Sequence, residues 1–279
     1  MKCCIDKELP LQVGSRSESA IVVKDKWWEN GKTLRVKFLQ GTENQKQFVM
    51  NTLQDWMTSI NLKFVRVESG DSEIRVAFDY NDGAWSYIGT DALSIPANQP
   101  TLNLGWVDKA VVLHEFGHAI GMGHEHQNPD GGIEWNEAQV IKDLSGPPNN
   151  WNEATIRHNV LRKYSKDQVN GTKFDSKSIM LYFFPASWTK NGIATQENET
   201  LSDVDRSFMA TVYPKTTVVT EPTRGFLETC KFLFKNEKEL YAVKKETLLR
   251  IGTELRLPIQ PTKSFKVNFD VVAPKILNQ

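Results

Sequence analysis

Charge of one sign is missing from this chain. Its 34 lysines and arginines are matched by 34 aspartates and glutamates across 279 residues, so no net field draws it to nucleic acid or to an anionic membrane surface. Long apolar runs are missing too. Nothing approaches the ~18–20 residues that span a bilayer. The N-terminal MKCCIDKELPLQVG lacks the ~7–15-residue apolar stretch of a secretory signal. The expectation is therefore a cytoplasmic or non-classically secreted protein, or a sequence trimmed of its leader, and the compartment stays open among the three. Neither nucleic acid nor membrane is expected among its partners. Cysteine is scarce: Cys3, Cys4 and Cys230 are too few and too oddly placed for a disulfide framework. The 39% hydrophobic and 24% charged shares are those of an ordinary globular protein. The length allows one large domain, or a catalytic domain with a small appendage.

Alternation of apolar and polar residues predicts strands at Thr33–Leu39, Leu62–Val67 and Glu73–Phe78. Shorter strand candidates are Trp85–Ile88 and Thr101–Leu104. Between the first two strands, Phe48, Met50, Leu53, Trp56, Met57 and Ile60 fall on one face of a helix over Glu43–Ile60. A second helix is expected over Asp108–Ile120, capped by Asp108 and ended by Gly121. Others are expected at Asn136–Leu144, Glu153–Tyr164 and Ser202–Tyr213, the last with Asp205 completing a near capping box and Pro214 stopping it. After Pro214 the pattern turns strand-like. The chain thus divides into an N-terminal segment (residues 1–32), a catalytic domain (33–215) and a β-rich appendage (216–279). The alternative is that the last strands complete the main sheet.

The chemistry concentrates in VVLHEFGHAIGMGHEHQNP. His114 and His118 are four residues apart, so on a helix their Cβ atoms lie about 5–6 Å apart on one face. Two such imidazoles can converge on one Zn2+ ion, and the sharp turn that Gly121 permits can fold His124 back as a third ligand. Three protein ligands leave the fourth position open, which is the catalytic arrangement rather than the structural one. Glu115, beside His114, can act as general base on a zinc-activated water. A set of ordinary helix histidines is the competing reading, but four of the five histidines crowd into His114–His126.

H-E-x-x-H-x-x-G-x-x-H is the metzincin signature, and SIMLY (Ser178–Tyr182) resembles the Met-turn of the astacin family. HEHQ and the WSYIG at Trp85–Gly89 are also similar to astacins and their bacterial relatives. The resemblance runs from about Thr33 to Pro214. It implies an α+β, two-lobed peptidase domain: a twisted mixed sheet with helices above, a largely irregular lobe below, and a substrate cleft between. It implies Met180 as an apolar floor under the metal and Tyr182 as a stabiliser of the oxyanion. It also implies that Trp85, Ser86 and Tyr87 form an edge strand on which a protein or peptide substrate is laid antiparallel. Glu125 matches the family glutamate that meets the mature N-terminus. Each has a plainer alternative, as a core methionine, a structural tyrosine or an aromatic-rich core strand. Two departures stand out: Leu181 replaces the family's usual histidine, and the disulfide cysteines of secreted astacins are missing.

The function so implied is a zinc-dependent metalloendopeptidase that hydrolyses internal peptide bonds. The rivals are a zinc hydrolase acting on a non-peptide amide or ester, and an inactive module that retains its metal. An intact Glu115 argues against the second. Cys3 and Cys4 lie upstream of the first domain strand, where a thiolate could take the open fourth position and hold the enzyme latent. Incidental exposed thiols are the alternative.

Overall fold

The computed structural model describes residues 4–7, 26–164 and 174–215. The chain divides into two units, Met1–Lys215 and Thr216–Gln279, and the expected β-rich appendage lies outside the described residues. Within the first unit, strands β1 (Ile5–Lys7) and β2 (Thr33–Phe38) precede helices α1 (Glu43–Thr52) and α2 (Gln54–Met57). Strands β3 (Lys63–Val67), β4 (Ile74–Ala77), β5 (Ala84–Tyr87) and β6 (Leu102–Leu104) follow, then helix α3 (Lys109–Ala119). Helices α4 (Glu137–Ser145), α5 (Glu153–Ile156) and α6 (Asp203–Val212) complete it. This is an α+β fold.

The six strands form one mixed sheet in the order β1-β5-β6-β4-β2-β3. All pairings are parallel except β5 with β6, which is antiparallel. β4, read above as alternating, is buried along its whole length, because a strand inside a parallel stretch is covered on both faces. Arg75, on that strand, is accommodated by donating to the carbonyls of Ser72, Ala92, Ile95 and Gln99.

Two helix expectations need correction. The single helix over Glu43–Ile60 is two pieces, broken at Leu53. The Thr52 hydroxyl donates to the Phe48 carbonyl at 2.9 Å, a back-bond of the kind that bends helices. The helix expected over Glu153–Tyr164 is α-helical only to Ile156 and continues as a π-helical turn over Arg157–Leu161.

Among the described residues, two clusters of buried apolar side chains build the first unit. The first joins sheet and helices through Leu34, Val36, Trp56, Val76, Phe116 and Met209, and Trp28 belongs to it. The second gathers Trp135, Val140, Ile156, Phe184 and Trp188. Residues 179–182 bridge them: Ile179 and Met180 belong to the first, Leu181 and Tyr182 to the second.

Candidate metal centre

Helix α3 is built to end abruptly. The Asp108 side chain accepts from Val111 N at 2.8 Å and caps its start. At its end Gly121 takes φ 103°, in the left-handed region that glycine enters without steric penalty. The Gly121 N–H then donates to the His118 carbonyl and the Met122 N–H to the Gly117 carbonyl, the paired bonds of a Schellman ending. The chain turns back at once, and His124 arrives opposite the two helix histidines.

The Nε2 atoms of His118 and His124 stand 3.1 Å apart. His114 Nδ1 faces the Ile179 carbonyl at 2.7 Å and His118 Nδ1 faces the Met122 carbonyl at 2.8 Å. Burial pushes His114 down to about 4, against the opposing pull of the Ile179 carbonyl. Burial, with neighbouring imidazoles, holds His118 and His124 well below the ordinary histidine range. Neutral rings that donate through Nδ1 present bare lone pairs at Nε2, so those of His114 and His118 converge on one point beside His124. A cation at that point would satisfy all of these lone pairs at once.

A fourth donor is present, and it is Cys4. Its Sγ lies 2.8 Å from His114 Nε2, 3.2 Å from His124 Nε2 and 3.9 Å from His118 Nε2. The four donor atoms all fall within 4.8 Å of one another. A tetrahedron with Zn–N of about 2.05 Å and Zn–S of about 2.3 Å has edges of about 3.3–3.6 Å. The observed separations of 2.8–3.9 Å bracket those edges, and the donor chemistry suits zinc.

The surroundings are ordered around these atoms. Glu115 is fully buried and lines a cavity with His114. Tyr182 donates its hydroxyl to the Cys4 carbonyl, and its ring packs against His124 and His126. Met180 lies beneath α3, so close that a Cβ at Gly117 would overlap its sulfur. His126 takes no place among the donors; its Nε2 faces the Asn159 carbonyl at 2.8 Å. Glu125 is buried, accepting from Asn128 Nδ2 and Asp175 N, and burial pushes it up to about 8.

Two residues escaped sequence reasoning. Gly117 has the signal of a glycine inside a helix, and its role is to admit Met180. Asp205 was legible only as a cap. Its carboxylate accepts from Ile179 N at 2.8 Å and Ser178 Oγ at 2.7 Å as well as from Ser202 N. Since the Ile179 carbonyl receives His114 Nδ1, Asp205 fixes the orientation of a ligand it does not touch.

β5 carries Trp85 and Ser86, both buried, and the half-buried Tyr87. Its outer edge is paired by the chain's own β1, in parallel: Ile5 opposite Trp85 and Lys7 opposite Tyr87. The Lys7 ammonium sits 3.1 Å from the centroid of the Trp85 ring, a cation–π contact that helps hold the short strand.

Comparison with known proteins gives the same family. The model for the peptidase family Astacin matches residues 20–213. A solved structure of myroilysin is 40% identical, with a TM-score of 0.67, over 70% of this chain and 98% of that one. Tolloid-like protein 1 of Homo sapiens is 27% identical over 190 residues, 63% of this chain and 17% of its own length. Zinc metalloproteinase nas-13 of Caenorhabditis elegans is 26% identical over 176 residues, 61% of this chain and 35% of its own. The match thus spans about a sixth to a third of these two curated relatives. The astacin-like metzincin fold expected from the signature is the fold of the myroilysin neighbour.

Proposed function

The chain belongs to the astacin family of peptidases, and from that premise we propose that it is a zinc-dependent endopeptidase held latent by its own Cys4. The observation that carries the reading is the convergence of three buried imidazole nitrogens beside Glu115 at a cavity wall. His114, His118 and His124 would hold the metal through Nε2. Zn2+ bound there would supply a Lewis acid that polarises a carbonyl and lowers the pKa of a water. Glu115 takes the proton of the attacking water and delivers it to the leaving amine. The Tyr182 hydroxyl donates to the oxyanion that develops on the scissile carbonyl. A peptide substrate pairs antiparallel with β5 along Trp85, Ser86 and Tyr87.

Residues 4–7 engage the donor nitrogens, Tyr182 and the β5 edge. β1 covers the β5 edge, the Cys4 carbonyl takes the Tyr182 hydroxyl, and Cys4 Sγ stands among the three nitrogens. Latency follows from that occupancy. The test uses the full-length protein. Elemental analysis should find one zinc per chain, with most of it lost in His118→Ala. Zinc retained in a triple His114/His118/His124→Ala variant ends the reading. Casein digestion should be faster with Cys4→Ser than with the natural chain, and a chelator should stop it. Equal rates in the two proteins would remove Cys4 as the cause of latency.

A further inference from the structure

The cavity beside His114 and Glu115 has a volume of about 380 Å³ and reaches away from the metal site between α3 and the 179–183 segment. It is large enough for one long side chain. Trp106, Ala110, Val111, Ile179, Leu181 and Phe183 give it an apolar wall. One charged group stands in the lining besides Glu115, the exposed carboxylate of Glu197, and among the described residues no lysine or arginine lines the cavity.

Glu197 is presented by a segment pinned on both sides. Two residues before it, the Thr195 hydroxyl donates to the Tyr182 carbonyl at 2.6 Å and accepts from Phe184 N at 2.8 Å. One residue after it, Asn198 Nδ2 donates to the carbonyls of Ser178 at 2.9 Å and Ser176 at 3.2 Å. The backbone carrying Glu197 is therefore tied to the segment that carries Met180 and Tyr182, so the carboxylate swings from a fixed Cα beside the cavity. No ion pair to Glu197 exists among the described residues.

We propose that this cavity is the subsite for the side chain adjoining the scissile bond, and that Glu197 makes it select lysine or arginine over acidic residues. The inference rests on the peptidase reading above. A long side chain lays its methylenes on the apolar wall and carries its charge outward, here to Glu197. At the outer end of the cavity, away from the metal, an acidic side chain meets the Glu197 carboxylate and no lysine or arginine of the lining. Because Glu197 is exposed, solvent screens the attraction, and the gain from the charge is about two- to fivefold.

Two readouts separate this inference from the reading beneath it. Both use full-length protein carrying Cys4→Ser and peptides that differ only at the adjoining residue: lysine, arginine, norleucine or glutamate. In the first, fluorescence anisotropy follows binding of the labelled peptides to protein that also carries Glu115→Gln. Lysine and arginine peptides should bind about two- to fivefold more tightly than norleucine, and glutamate least. The lysine-to-norleucine ratio should collapse towards one in Glu197→Gln and at high salt. In the second, kcat/KM of the Glu115-containing protein should follow the same order. A ratio unchanged by Glu197→Gln, or glutamate peptides bound best, overturns the subsite. Ordered binding without cleavage of any peptide overturns the peptidase reading instead.

Discussion

At Gly117 the absence of a side chain is a packing requirement. A Cβ there would overlap the Met180 sulfur, so Gly117→Ala sets helix propensity against overpacking. The propensity gain is about 1 kcal/mol and overpacking costs about 1–3 kcal/mol, so a net loss of stability is expected. Thermal melting checks it, and a raised Tm would show that Met180 can move aside. Tyr182 is hydrogen-bonded to the Cys4 carbonyl here, and the proposed oxyanion role requires that bond to be released. With Cys4→Ser as background, Tyr182→Phe should lower kcat about 10²-fold with little change in KM, since an oxyanion donor acts on the transition state. If both constants hold against a peptide substrate, the hydroxyl is structural. That His114 and His118 share one helix face was readable from their spacing alone. Asp205 was not, because its second and third hydrogen bonds join parts of the chain 26 and 27 residues apart.

Among the elements, the helix carrying the histidines was readable almost to the residue, since Asp108 and Gly121 mark its ends by local chemistry. The π-helical turn after Ile156 and the break at Leu53 were hidden, because no residue there forbids a regular helix. β4 was misread for a different reason: Arg75 looks solvent-facing in sequence, yet four carbonyls receive it in the interior. Glu73 immediately precedes that strand. Burial pushes its carboxyl up, but hydrogen bonds from the Arg35 side chain and backbone prevail and hold it below the ordinary glutamate value. A lowered folded-state value means the stabilisation is present above the unfolded value near 4.5 and fades as pH falls through the folded one. Glu73→Gln should therefore lower Tm clearly at about pH 7 and much less at about pH 3. A gap of equal size at both pH values would show that the charge contributes nothing.

For the molecule as a whole, the division after Lys215 and the helix stop at Pro214 lead to one expectation. A protein ending at Lys215 should melt cooperatively and, with Cys4→Ser, still cleave a short peptide. Insolubility or a broad, non-cooperative melt would mean that residues 216–279 complete the main core. The composition shift that suggests this boundary could be read in sequence; the order of the sheet could not. Nothing local in Ile5–Lys7 says that this strand pairs with one 80 residues away, because register between distant strands is set by what the rest of the chain leaves uncovered. That pairing has a kinetic consequence. If Cys4 holds the enzyme latent as proposed, an inhibitor on the same chain would be present at an effective concentration of order mM, so dilution would not weaken it and no partner need be titrated. A single cut between Lys7 and Lys26 would change the order of the reaction. Rebinding of the released peptide would become bimolecular, and at nanomolar protein it would fall behind dissociation.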